Sequence, residues 1–152
     1  MTRTLELRSI AADTRKLNEG AWFELTADRT NKVIDGVPVP GPTDGPCILV
    51  VPFGIAYSRA MEEARRPFLE RLREKVETNQ DAITITGQAL ARAVFRGCVN
   101  LTIDGQAVVW TEQKAVELMT DQQWVWLREC VERKAGERAP YAAREEEQAK
   151  GN

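Results

Sequence analysis

The spacing of apolar residues changes at Ile55, and this change constrains the architecture more than any other feature of the 152-residue sequence. Before it, residues 47–51 (CILVV) form an apolar run without alternation, which is typical of a strand buried on both faces. After it, apolar residues recur at every third or fourth position, as on one face of a helix: Tyr57, Met61, Ala64, Phe68, Leu72 and Val76. The sequence therefore predicts a β part over residues 1–54 and a helical part over residues 55–136.

Two further segments of the N-terminal part favour β structure. Residues 21–25 (AWFEL) are typical of a short strand, and residues 33–37 contain Asp35-Gly36, a pair that favours the tight turn of a hairpin. Pro and Gly then recur across residues 38–46, where missing N–H donors and fixed φ angles oppose regular structure. We expect this last segment to be an exposed loop.

The first helical pattern is interrupted by Pro67, which we expect to kink the helix or to restart it with Pro67 in a new first turn. A break follows at residues 79–81, after which Thr84 or Thr86 is positioned to cap the next helix. The apolar ladder predicted for that helix is Leu90, Val94 and Cys98.

Residues 101–110 contain two β-prone runs joined by Asp104-Gly105, the strongest local signal for a β-hairpin in the chain. Thr111 is positioned to cap a short helix after the hairpin, and Thr120 to open another. The apolar stripe predicted for the last helix is Trp124, Leu127, Val131 and Ala135.

These patterns predict a helix-dominated α+β fold with a small N-terminal β part, then four or five helices with one β-hairpin between them. Residues 1–136 would form a single α+β domain. Residues 137–152 are charged and almost without apolar anchors, so we expect an exposed C-terminal tail. The predicted core includes Tyr57, Met61, Phe68, Leu90, Val94, Trp124, Leu127 and Val131.

The composition excludes several kinds of function. The chain contains no histidine, which removes Ser-His-Asp and Cys-His catalysis and histidine-ligated metals. Lys and Arg total 21 against 23 Asp and Glu, a net charge of -2 that disfavours a phosphate-binding surface. We therefore expect no nucleic-acid partner.

The remaining reactive side chains form no catalytic or metal-binding pattern. Cys47, Cys98 and Cys130 are far apart, which favours small core residues in a reducing compartment over a metal site. The glycines lack the pattern of a phosphate loop, and paired carboxylates such as Glu62 and Glu63 lie among arginines on a polar helix face. We expect no enzyme activity, no cofactor and no metal.

The N-terminus carries charges where a signal peptide needs an apolar stretch, and the longest apolar run, residues 47–53, is too short to span a bilayer. We therefore expect a soluble protein with no membrane partner.

Exposed side chains are the remaining candidates for function, through contact with other proteins. Trp124 and Trp126 lie two positions apart on one helix, so only one of them can face the core. We take Trp126 as the outer one, where it either covers a second element or meets a partner. The arginine-rich face around Arg65, Arg66 and Arg73, on an earlier helix, offers bidentate donors. These four residues are the predicted partner-binding set.

The order of parts between residues 91 and 135 resembles the small tail assembly chaperones of long-tailed bacteriophages. The resemblance rests on the turn Asp104-Gly105, on Thr111 opening a helix that ends in Leu118-Met119, and on the amphipathic helix from Trp124 to Val131. The chain departs from that pattern at Val99-Asn100, where such proteins often carry a tryptophan, and in its proline-rich segment.

The resemblance implies a non-catalytic protein in the cytoplasm of the bacterial host. It would bind the tape-measure protein, shield its hydrophobic helices and recruit tail-tube subunits. The oligomeric state stays open, with a homo-oligomer among the options.

Two rival functions need no catalytic chemistry. A structural virion component, such as a minor tail or head-completion protein, would remain in mature particles, whereas an assembly chaperone should leave. A regulator that binds nucleic acid needs a basic helix face, which the charge balance disfavours. An enzyme ranks third, because no constellation of residues supports one.

Overall fold

The computed structural model of the chain describes residues 3–27 and 34–142. Within them the fold is α+β and dominated by helices, which confirms the predicted class. Residues 28–33, between the first two strands, lie outside the described residues. So do residues 143–152 of the predicted tail.

Four antiparallel strands form the sheet, in the order β2-β1-β3-β4. Their bounds are Ala21–Ala27 for β1, Ile34–Val39 for β2, Cys47–Val50 for β3 and Phe95–Val99 for β4. The strand β3 lies between β1 and β4, and Cys47, Ile48 and Val50 are buried. The apolar run at residues 47–51 is therefore a central strand, as the sequence predicted.

Six helices and a small hairpin surround the sheet in the part of the chain that the structure describes. The helices are α1 (Thr14–Glu19), α2 (Ile55–Arg65), α3 (Leu69–Glu74), α4 (Asn79–Ala93), α5 (Glu112–Thr120) and α6 (Val125–Gly136). Thr102–Ile103 (β5) and Gln106–Ala107 (β6) form the hairpin on either side of Asp104-Gly105, as predicted.

The core lies between one face of the sheet and α4, α5 and α6. Its largest fully buried side chains include Phe23 and Ile48 of the sheet and Leu90, Met119 and Val131 of the helices. The helix α4 packs against both α2 and α5. Its contact with α5 is close, because a Cβ atom on Gly87 would clash with the Met119 carbonyl oxygen. Of the predicted core, Leu90, Val94, Leu127 and Val131 are buried and Tyr57, Met61, Phe68 and Trp124 are half-buried.

Two predictions for α4 were wrong. Its N-cap is Thr78 rather than Thr84 or Thr86, since the Thr78 hydroxyl accepts from the Asp81 N–H while the Asp81 carboxylate accepts from the Thr78 N–H. Its apolar ladder does not reach Cys98, because the helix ends at Ala93 and the chain continues as β4. Pairing with β3 satisfies the main chain of this segment, and that tertiary contact outweighs the helical spacing.

The prediction of a tight turn at Asp35-Gly36 is also wrong. Both residues lie inside β2, paired with β1, and Gly36 is buried against the Phe23 side chain. Pro38 likewise belongs to β2 rather than to the expected loop. An edge strand tolerates proline where no partner requires its missing N–H.

Three helix starts show how local chemistry sets the boundaries. Pro67 lies in the first positions of a 3-10 turn, Arg66–Phe68, between α2 and α3, so the helix restarts there as expected. Thr111 caps α5, which confirms the prediction. Thr120, however, is the last residue of α5, and Asp121 caps the 3-10 turn that precedes α6.

The tail predicted from residue 137 onwards does not begin there. A 3-10 turn, Ala139–Tyr141, follows α6, and both Pro140 and Tyr141 are buried. Ala142 forms a β-bridge with Ala12. The expectation of an exposed segment is therefore wrong for residues 140–141, because an apolar pair there packs onto the domain.

Candidate protein-interaction groove

The predicted partner-binding residues are exposed and lie on four separate elements. Trp126, in the first turn of α6, is 46% exposed. Arg65 ends α2, Arg66 begins the 3-10 turn after it, and Arg73 belongs to α3. No hydrogen bond, ion pair or ring contact among the described residues joins Trp126 to these arginines. They stay predictions, and a different surface forms an open apolar groove.

That surface is an apolar groove of about 480 Å³ between the N-terminal segment and the end of α6. Its floor and walls include Ile10, Leu17, Pro52, Phe53, Ala135 and Tyr141. Three of these side chains are large, apolar and exposed: Ile10 at 64%, Leu17 at 41% and Phe53 at 41%. We call this surface the Phe53 groove.

The floor of the Phe53 groove is apolar although it lies at a helix end. A helix leaves its last carbonyl groups without partners inside the helix, and these normally need water or a cap. Here the Phe53 N–H donates to the Ala135 carbonyl oxygen at 3.1 Å, and the Tyr141 hydroxyl donates to the Lys134 carbonyl oxygen at 2.9 Å. Because the protein caps its own helix, these two carbonyl groups do not need a polar ligand.

Tyr141 joins the groove to the core. Its hydroxyl also lies 3.3 Å from the Val50 carbonyl oxygen of β3, and its ring meets the Phe23 ring edge-on, with centroids 6.4 Å apart. Burial raises the pKa of the Tyr141 phenol, so the group stays neutral and keeps its proton for these bonds. The floor is therefore attached to the sheet through the Tyr141 side chain.

The opposite wall is the N-terminal segment, fixed by main-chain contacts. The Asp13 N–H donates to the Tyr141 carbonyl oxygen at 2.8 Å, next to the bridge between Ala12 and Ala142. The Asp13 carboxylate also caps α1, which places Leu17 of that helix on the groove. The Phe53 ring completes the site and packs against Tyr57, with centroids 4.6 Å apart.

Charged groups below the groove are paired with one another. Lys134 is only 6% exposed, and its Nζ lies 3.0 Å from Asp35 Oδ1 and 3.0 Å from Glu137 Oε1. Burial opposes the charge on Lys134, but hydrogen bonds to the two carboxylates outweigh it and raise its pKa. The hydrogen bond from Lys134 is the main cause of the lowered pKa of Asp35. Arg138, at the rim, is exposed and has no acceptor among the described residues.

A second cavity of about 570 Å³ lies on the outer face of the sheet, beside Trp22. The Trp22 indole reaches across β3 to Gly97, where a Cβ atom would approach it to 3.4 Å. Both Trp22 and Leu49 are half-buried, and the rim includes the ion pair between Arg15 and Glu19. This cavity exposes less of its large apolar side chains than the Phe53 groove does.

The acidic and cysteine side chains of the described residues are not grouped as metal ligands. No group of three or more His, Cys, Asp or Glu side chains is placed to hold a metal ion in that part of the chain. All three cysteines are buried. Burial raises the pKa of Cys98, and it raises that of Cys130 to about 11, which disfavours the reactive thiolate. The groove is thus suited to apolar contact.

Sequence reasoning missed the residues of the groove. Phe53 appeared only as the end of an apolar run, and Tyr141 lay in a segment taken for a charged tail. One signal was present: Pro140-Tyr141 is a short apolar island among charged residues. The Tyr141 hydroxyl contacts Val50, which is distant in the sequence, and Lys134, which belongs to the preceding helix. No local sequence pattern predicts these two contacts.

The structure is that of a small helix-dominated α+β protein with an exposed apolar groove. Residues 53–152 match the family model described as YdaY prophage protein. The match covers about two thirds of the chain, which therefore belongs to the YdaY prophage protein family and is phage-derived. No curated protein matches the chain, and no solved structure does. Among the described residues no helix is both long and apolar enough to cross a bilayer.

The region that matches the family model contains only part of the lining of the Phe53 groove. Phe53, Ala135 and Tyr141 lie inside the matched region, whereas Ile10 and Leu17 precede it. The strands β1, β2 and β3 also precede it, although β4 of the matched region pairs with β3. The first 52 residues thus supply both a wall of the groove and most of the sheet.

Proposed function

We propose that this protein is a non-catalytic tail assembly chaperone of a bacteriophage. In the host bacterial cytoplasm it would bind the tape-measure protein and help recruit tail-tube subunits during virion assembly. Membership of a prophage family supports a phage-related role, and the resemblance of residues 91–135 to tail assembly chaperones supports this particular one.

The observation that carries the proposal is the Phe53 groove. A protein that holds another protein's hydrophobic helix needs an apolar surface that stays open on a rigid support. Ile10, Leu17 and Phe53 expose large side chains around one groove, and the floor beneath them is fixed to the core by Tyr141.

The groove also favours a helical partner over an extended one. An extended peptide usually gains affinity by pairing with free main-chain groups. Several main-chain groups around this groove are already bonded within the chain, including the N–H groups of Asp13 and Phe53 and the carbonyl groups of Lys134 and Ala135. A helix satisfies its own main chain, so it can bind through side chains alone.

The test is co-expression of the full chain with the large helical product of the neighbouring gene, followed by affinity capture. We expect the two proteins to associate. The substitutions Phe53→Asp and Leu17→Glu should each abolish capture, because each places a charge in the groove. Val109→Asp is the matched control, since Val109 is 73% exposed but does not line the groove.

Three outcomes would overturn the proposal. The first is no association, and the second is association that Phe53→Asp and Leu17→Glu leave unchanged while the variants stay folded. The third is recovery of the protein from purified mature particles at a fixed stoichiometry, which would favour the structural virion component instead.

A further inference from the structure

The rim of the Phe53 groove carries charged side chains. Of the residues that line it, Glu137 and Arg138 are the charged ones. The Glu137 carboxylate is bound by the Lys134 ammonium at 3.0 Å. Arg138 is exposed and has no acceptor among the described residues. Among the described residues that line the groove, the charge that remains available to a partner is therefore one guanidinium group.

The size of the groove argues against a second copy of the chain as its occupant. About 480 Å³ accommodates a few large side chains. A stable interface between two domains needs about 800 Å² from each partner, far more than three exposed side chains provide. A single helix that inserts its apolar stripe fits the available space better.

We infer, resting on the proposed function, that the partner segment is an amphipathic helix whose apolar stripe is flanked by acidic residues, and that Arg138 selects it. The apolar stripe contacts Ile10, Leu17 and Phe53, and a carboxylate at the edge of the stripe pairs with the Arg138 guanidinium. An arginine can bind a carboxylate through two parallel N–H donors, which gives orientation as well as attraction.

The test uses two synthetic amphipathic helical peptides that share the same leucine stripe. One carries glutamates along the edges of the stripe and the other carries lysines. Binding to the full chain is measured by fluorescence anisotropy at low salt, where screening is weakest. We expect the glutamate peptide to bind at least roughly fivefold more tightly than the lysine peptide. Arg138 attracts a glutamate and repels a lysine, and an exposed charge pair accounts for a difference of this size.

The substitution Arg138→Glu should remove or invert this preference. Arg92→Glu is the matched control: it makes the same change of charge on α4, at an exposed residue outside the groove, and should leave the preference intact. Phe53→Asp should weaken both peptides.

The remaining outcomes separate this inference from the proposed function. Equal binding of the two peptides, abolished by Phe53→Asp, would overturn the charge selection and leave the groove's function standing. A preference that Arg92→Glu removes and Arg138→Glu does not would assign the preference to another surface and overturn the inference. Failure of both peptides to bind would overturn it too, while capture of the natural partner would still test the function separately. Self-association of the chain that Phe53→Asp prevents would replace the helical partner with a second copy.

Discussion

The Tyr141 hydroxyl donates a hydrogen bond to the Lys134 carbonyl oxygen at 2.9 Å, and this bond fixes the residues after α6 onto the last turn of that helix. The same hydroxyl lies 3.3 Å from the Val50 carbonyl oxygen. One side chain thus links the helix end, the central strand and the floor of the Phe53 groove. The groove depends on this link, because the Tyr141 carbonyl oxygen also accepts a hydrogen bond from the Asp13 N–H of the N-terminal wall.

Removing the hydroxyl tests the link. Tyr141→Phe leaves the buried Lys134 carbonyl group without its donor, so we expect a loss of about 1–2 kcal/mol in the free energy of unfolding. Urea denaturation followed by circular dichroism measures it as a lower midpoint with an unchanged slope. Tyr57→Phe is the control, since the half-buried Tyr57 hydroxyl has no hydrogen-bond partner among the described residues. Equal stability of the two variants would contradict the assigned role of Tyr141.

The ion pair between Lys134 and Asp35 predicts a dependence of stability on acid pH. The hydrogen bond from Lys134 lowers the pKa of Asp35 below its ordinary 3.8. A carboxyl group whose pKa is lower in the folded than in the unfolded state stabilises the folded protein when the pH is above the unfolded-state pKa. This contribution is lost as the pH falls through the folded-state pKa. Because the Asp35 side chain is 61% exposed, we expect less than about 1 kcal/mol.

Asp35→Asn removes this contribution. Between about pH 5 and pH 2, the urea midpoint of the wild type should fall further than that of Asp35→Asn. Asp44→Asn, at an exposed carboxylate without an ion pair among the described residues, should behave like the wild type. If Asp35→Asn lost as much stability in acid as the wild type, the ion pair would make no contribution.

Gly87 sets how closely α4 and α5 approach. In the interior of an exposed helix, Gly→Ala is stabilising by about 1 kcal/mol. In α4 the added Cβ atom would clash with the Met119 carbonyl oxygen, which is main chain and cannot rotate away. We therefore expect Gly87→Ala to destabilise the protein by about 1–3 kcal/mol.

Thermal unfolding measures this effect, with Gly41→Ala as the control. A Cβ atom on Gly41 would meet nothing within 4 Å, so that variant should unfold near the wild-type temperature. A Gly87→Ala protein more stable than the wild type would show that the two helices separate at little cost.

The sequence predicted those elements whose signals are local. The central strand β3, the restart at Pro67, the hairpin at Asp104-Gly105 and the cap at Thr111 each follow from a few neighbouring residues. The fold class followed from the change of apolar spacing at Ile55.

The sequence could not predict the elements that long-range contacts decide. The apolar residues of β4 fit a helical spacing equally well. The segment forms a strand because its main chain pairs with β3. Thr78, Thr84 and Thr86 are all cap residues by type, and the reciprocal bond with Asp81 selects Thr78. The Phe53 groove needs residues 10, 53 and 141 together, and no spacing in the sequence relates them.

The central claim is that the Phe53 groove holds a helical protein partner encoded by the same phage. Site-specific photo-crosslinking tests it most directly, with benzoylphenylalanine placed at Phe53 or Leu17 of the full chain and, as a control, at Val109. After co-expression with the large helical product of the neighbouring gene, we expect crosslinks from positions 53 and 17 to an amphipathic helical segment of that product, and none from position 109. Crosslinks from position 109 alone, or from position 53 only to a second copy of the chain, would contradict the claim.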